Sequence, residues 1–146
     1  MNDVFVPIKC EREEIETVLF IQSAVPKIKA FLECLRAGDT DTLNLPFLIG
    51  IQELLKSLIF FVIEETNPLK APLSVDNPPN PLRQKAMREC RYIDLLIDCL
   101  VFPFVEKLYK IEELSQKHPI TKICQLIYRL LKHCVKDNSM NKNYVA

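Results

Sequence analysis

The sequence predicts an all-α domain. Three observations carry that expectation: apolar residues recur at three- and four-residue steps, no stretch sustains period-two alternation, and only two glycines interrupt 146 residues. Hydrophobic residues make up 49% of the chain, enough for one core of ordinary size, so residues 1–146 are expected to form a single domain.

From Glu11 to Ala37 the residues Ile15, Val18, Leu19, Ile28, Phe31, Leu32 and Leu35 keep helical spacing, with a break or bend at Pro26. Gly38 supplies a left-handed stop. Glu11, Glu13, Glu14 and Glu16 read as a solvated helix start. Leu45 to Ile63 is the most apolar stretch and is nearly long enough to span a bilayer. Gln52, Glu53 and Lys56 argue against insertion, because a full charge near the middle of such a helix costs on the order of 3 kcal/mol. A central core helix is expected instead, with Asn44 as N-cap, Pro46 in the first turn, and Asn67-Pro68 as its stop.

Five prolines between Thr66 and Pro81 predict a surface loop. After the run 83–89, a short helix is expected over Tyr92–Phe102. Its stripe is Ile93, Leu96, Ile97 and Leu100, widened by Leu95 and Val101, and Pro103 ends it. From Pro119 the residues Ile120, Ile123, Cys124, Ile127, Leu130, Leu131 and Cys134 form a sustained amphipathic pattern. Lys132, His133 and Lys136 complement its C-terminal dipole. Paired helices of this kind suit an armadillo-like α-solenoid unit, or a compact bundle of about five or six helices. Tyr144, Val145 and Ala146, which end the sequence without a cap, fit excision from a much larger chain.

Composition excludes several functions. The 19 basic and 19 acidic side chains cancel, which removes the field a nonspecific nucleic-acid binder needs. The six cysteines, at 10, 34, 90, 99, 124 and 134, mostly fall in apolar helical patterns and read as reduced core residues. No pair has the spacing of a zinc knuckle, and His118 and His133 lie far apart, so neither a metal site nor a cofactor is expected. Asp39 and Asp41 lack the later oxygen ligands of an EF-hand. No nucleophile–base pair marks an enzyme, and nothing at the N-terminus marks secretion, so a cytosolic setting is expected.

The candidate site is the run Arg83-Gln84-Lys85-Ala86-Met87-Arg88-Glu89. Three fixed cations at a helix start suit a multiply charged anion, since unpaired backbone N–H groups and guanidinium forks both grip phosphate oxygens. The structural alternative is a solvated charged face.

That run is followed by Phe102-Pro103-Phe104, Ile111-Glu112-Glu113-Leu114, His118-Pro119, Ile123-Cys124 and Tyr128-Arg129-Leu130-Leu131-Lys132-His133. Upstream stand Phe5-Val6-Pro7 and Gln52 to Val62. In this order the segments resemble the RIH domain shared by ryanodine and inositol trisphosphate receptors, and the likeness is closer to the inositol trisphosphate receptor. The resemblance implies a cytosolic, armadillo-like regulatory domain of a tetrameric, ligand-gated calcium-release channel of the endoplasmic reticulum. It also implies that the domain walls an inositol trisphosphate cleft opposite a β-trefoil and couples that cleft to gating. Ligand contacts would then map onto Lys85 and Arg88, with Arg83 in support.

The sequence departs from the family pattern in two places. Pro81 stands where the pattern has a further arginine, and Asn138, Ser139 and Met140 stand where it has a tyrosine, arginine and lysine. With about three contacts gone, each worth roughly 1.5–3 kcal/mol, binding would weaken by orders of magnitude. The alternative expectation is therefore a helical scaffold that has lost the ligand or takes another phosphorylated anion.

Overall fold

The computed structural model describes the backbone of residues 5–39, 41–105 and 118–146 and the side chains of 12–39, 41–101 and 118–146. Among these residues there are seven helices and no strand: α1 (Phe5–Ser23), α2 (Val25–Ala37), α3 (Leu45–Val62), α4 (Pro81–Glu89), α5 (Tyr92–Val105), α6 (Pro119–Val135) and α7 (Ser139–Val145). The all-α expectation holds. The helices pack with a regular offset, α1 on α4, α2 on α5, α3 on α6 and α4 on α7, so each helix of the first three lies against its counterpart in the next three. Stacked three-helix units pack in this way.

Local chemistry sets the boundaries. The first long pattern is two helices, broken at Ala24, with Pro26 in the first turn of α2, where its missing N–H costs nothing. The buried Tyr92 hydroxyl donates to the Ala24 carbonyl at 3.0 Å, so the acceptor freed at the break has a partner, and burial pushes that phenol's pKa well up. Gly38, at φ 66°, closes α2, and the Asp39 N–H reaches back to the Cys34 carbonyl at 3.0 Å. Asp39 accepts from both the Thr42 N–H and its hydroxyl, at 3.1 and 2.7 Å, and its carboxylate is thereby committed to the turn. Asn44 caps α3 through the Phe47 N–H at 3.1 Å, as its sequence position predicts.

By length and composition α3 could cross a membrane. In this fold its stripe Leu48, Ile51, Leu55, Leu58, Ile59 and Val62 is buried, and α6 is its main neighbour. It stops at Val62, ahead of Asn67-Pro68, because Glu64 takes φ 53° and the Glu65 N–H caps the Phe60 carbonyl at 2.8 Å. The proline-rich segment is an ordered loop whose ends are tied by the Asn80 N–H on the Val62 carbonyl at 2.8 Å. Arg129 clasps it to α6 by donating to the Val75 carbonyl at 2.8 Å, and Lys136 pairs with Asp76 at 3.2 Å.

Three further expectations need correction. α5 runs through Pro103 to Val105: the proline removes one helical donor, the one for the Cys99 carbonyl, without ending the helix. Ile15, Leu19 and Val101 are exposed, because the neighbours of α1 and α5 cover a narrower stripe than the sequence pattern offers. His133 is fully buried and does not serve as a solvated charge at the end of α6. Cys99 and Cys134 are buried and Cys34, Cys90 and Cys124 half-buried, all as free thiols; the Cys10 side chain lies outside the described residues.

Among the described residues neither ring nitrogen of His133 has a hydrogen-bond partner, and burial, followed by the nearby Arg129 charge, pushes its pKa down to about 4 from an ordinary 6.5. A depressed value means that the unfolded chain takes up this proton first. The stabilisation is therefore complete above pH 6.5 and is lost as pH falls toward 4. Unfolding free energies from urea titrations between pH 7 and pH 4.5 should drop by about 1 kcal/mol per pH unit in this window, and His133→Leu should flatten that slope.

Candidate functional site

The basic run makes up almost the whole of α4, a helix too short to persist alone. Asn80 starts it: the side-chain Oδ1 accepts from the Leu82 and Arg83 N–H groups at 2.9 and 3.2 Å, and Pro81 occupies the first turn. The N–H groups expected to be open to an anion are thus partly taken by the cap.

Helical geometry fans the three cations apart. Arg83 turns toward the end of α3, where Nη1 donates to the Phe61 carbonyl at 2.6 Å and the guanidinium lies 4.3 Å from the Phe61 ring centroid. Phe20 of α1 stacks on the same ring at 4.2 Å. Arg88 turns toward α7; its side chain is 15% exposed, and Nη1 donates to Asn141 Oδ1 at 2.9 Å. Lys85 is 53% exposed, and its ammonium stands 3.9 Å from Glu89 Oε1. Arg88 Nη2 reaches that same oxygen, also at 3.9 Å. The structure therefore brings Lys85 and Arg88 to one carboxylate and places Arg83 elsewhere.

Acidic groups surround the run. A cavity of about 80 Å³ beside Lys85 is lined by Glu14 and Glu89 as well as by Thr17 and Ala86. A cleft of about 420 Å³ beside Arg83 carries Glu13, Glu16 and Glu64. Such a setting opposes a polyanion at Arg83.

Sequence reasoning missed the residues that organise this region. Gln84 and Asn141 are buried, and both amides are saturated. Gln84 Nε2 donates to the His133 and Lys136 carbonyls, each at 2.8 Å, while its Oε1 accepts from Asn138 at 3.2 Å. Asn141 Nδ2 donates to the carbonyls of Gln84 at 2.9 Å and Cys134 at 2.8 Å. Asn138 is also the N-cap of α7, accepting from the Asn141 N–H at 3.0 Å. The departures at 81 and 138 are thus a first-turn proline and a helix cap. An Asn-Ser pair just past the α6 stripe was the available signal for α7.

The family model of the RIH domain matches residues 52–146. The matched stretch runs from the middle of α3 to the end of the chain and contains the loop, α4 and the whole amide network.

Removing a buried amide that satisfies two carbonyls leaves both unpaired, each costing about 1–3 kcal/mol. Asn141→Ala should therefore lower unfolding free energy by at least about 2 kcal/mol in urea titration, whereas Lys85→Ala, at an exposed pair, should change it by less than about 0.5 kcal/mol.

Proposed function

The chain belongs to the RIH domain family, the homology domain of ryanodine and inositol trisphosphate receptors, and from that membership we propose that it is a helical regulatory scaffold of a calcium-release channel in which strong inositol trisphosphate binding has been lost. The carrying observation is the engagement of the cations: Arg83 is spent on the Phe61 carbonyl and Arg88 on Asn141. One internal bond fixes the direction of each guanidinium and leaves fewer of its five N–H donors for a phosphate, so Lys85, held only in a long, exposed pair with Glu89, is the most available of the three. The proposed setting is the cytosolic side of the endoplasmic reticulum, beside a β-trefoil and further solenoid units of a tetramer. There the chain passes motion between neighbours and does no chemistry.

A second reading keeps the ligand. It is favoured by the convergence of Lys85 and Arg88 on Glu89 Oε1, because two cations that share one anionic oxygen are spaced to share another. On that reading the helical face walls the inositol trisphosphate cleft and the loss of contacts only weakens it.

Titration calorimetry with inositol trisphosphate, on the chain alone and joined to a family β-trefoil, separates the two. The scaffold reading expects affinity weaker than about 100 μM at 0.15 M salt, no better than an exposed cation or two provides, and little change on Lys85→Ala. Low-micromolar binding that is abolished by Lys85→Ala and Arg88→Ala together would establish the second reading.

A further inference from the structure

The outer side of α6 carries charge of one sign. Lys122, Gln125, Arg129, Lys132 and Lys136 recur at steps of three and four, which sets them in one line along the helix, and α6 contains no carboxylate. The whole chain is neutral, with 19 basic and 19 acidic side chains, so this stripe is a local concentration of positive charge. Its ion pairs use Arg129 and Lys136, both with Asp76, and leave Lys122 and Lys132 without one among the described residues.

The fold already shows how a carboxylate uses this stripe. Asp76, on the proline-rich loop, sits 3.2 Å from the Lys136 ammonium and 3.8 Å from Arg129, and the adjacent Val75 carbonyl accepts from Arg129 at 2.8 Å. The loop thus takes up the Arg129 and Lys136 end. Beside it an open groove of about 450 Å³ is lined by Leu73, Cys124, Gln125, Tyr128, Arg129 and Lys132, without an acid. Leu73 and Cys124 are half-buried there, and Tyr128 is 68% exposed. Free cations therefore stand next to apolar and aromatic surface, the combination that an acidic, amphipathic segment complements.

We propose that this groove docks an acidic amphipathic helix of a partner protein, laid along α6 with its apolar residues against Leu73, Cys124 and Tyr128 and its carboxylates on Lys122 and Lys132. The two lysines lie about 15 Å apart along the helix axis, so a partner of about three turns reaches both. Carboxylates three and four residues apart on that partner repeat the spacing of the stripe they meet. A phosphate backbone or a flat anionic bilayer would meet the same cations but leave the half-buried Leu73 and Cys124 uncovered, so the apolar lining selects a protein. None of these residues belongs to α4, and the site is independent of how Arg83, Lys85 and Arg88 are used.

Fluorescence anisotropy on the full chain tests this, with a labelled peptide of about 16 residues that carries Leu on one helical face and Glu beside it. The peptide should bind at least about ten-fold more tightly in 0.05 M than in 0.5 M salt, on the order of what screening removes, and should gain helical circular dichroism as it binds. The same peptide with Ser in place of Leu, a single-stranded oligonucleotide of equal charge and phosphatidylserine vesicles should each bind about ten-fold more weakly or worse. Lys122→Gln/Lys132→Gln and Tyr128→Ser alter side chains at the surface of α6 and should keep the parent's helical circular dichroism. Each should weaken the peptide about ten-fold. The proposal is overturned if the Glu–Leu peptide does not bind or binds without gaining helix, if either variant binds it like the parent, or if the Ser peptide, oligonucleotide or vesicles bind as tightly.

Discussion

Satisfaction of the carbonyls at the end of α6 is the constraint on which the second half of the molecule depends. Five consecutive acceptors must find donors after the helical ladder runs out. Lys132 and Val135 are served by backbone N–H groups, from Lys136 and Asn138. His133, Cys134 and Lys136 are served by the side chains of Gln84 and Asn141. An α4 displaced along its axis by one residue would strand two of these carbonyls in the protein interior, so the network fixes register as well as contact. The same amides anchor α7, whose seven residues could not hold a helix unaided.

That register is what lets the two helical triplets stack. Apolar burial supplies most of the energy, from a continuous core running from Ile21 through Leu58 and Ile93 to Leu130, but it is nearly indifferent to small slides of one helix over another. Directional bonds remove that freedom: Tyr92 on Ala24 ties α5 to the α1–α2 break, Arg83 on Phe61 ties α4 to α3, and Arg129 on Val75 ties the loop to α6. Each joins elements far apart in sequence at a point where a helix end or loop exposes an acceptor.

Much of this was legible in the sequence, because helical periodicity, Asn44, Gly38 and Pro119 act through local geometry. α3 is the core helix its apolar stretch predicts, and of the predicted α6 stripe Ile120, Ile123, Ile127, Leu130 and Cys134 are buried, Cys124 and Leu131 half-buried, with Leu126 added. Elements governed by nonlocal facts were not legible. Glu64, Arg91 and Asp137 follow helices in the left-handed region without being glycine, and no local residue pattern announces them. His133 reads as a dipole partner until the loop over α6 is in place. Ile15 and Leu19 read as core until the width of the covering surface is known. In the basic run the charges drew attention as a group, yet a nine-residue helix points residues 83, 85 and 88 in different directions, and the uncharged Gln84 between them has the most demanding role.

The position of α4 makes it the natural point at which such a scaffold would register a signal. It touches α1, α3, α5, α6 and α7, although it is among the shortest elements. A helix of this length owes its existence to tertiary contacts, so a shift of any neighbour changes its free energy more than its own propensity could resist. Arg83 and Arg88 carry that dependence to opposite ends, one to the α3 terminus and one to α7. A polyanion that turned both guanidinium groups away from these acceptors would loosen the α3 and α7 junctions together. A ligand that took only Lys85 would leave the stack unchanged. Whether binding does mechanical work here is decided by which cations it recruits, since a ligand shifts a conformational equilibrium only through contacts that differ between its two states.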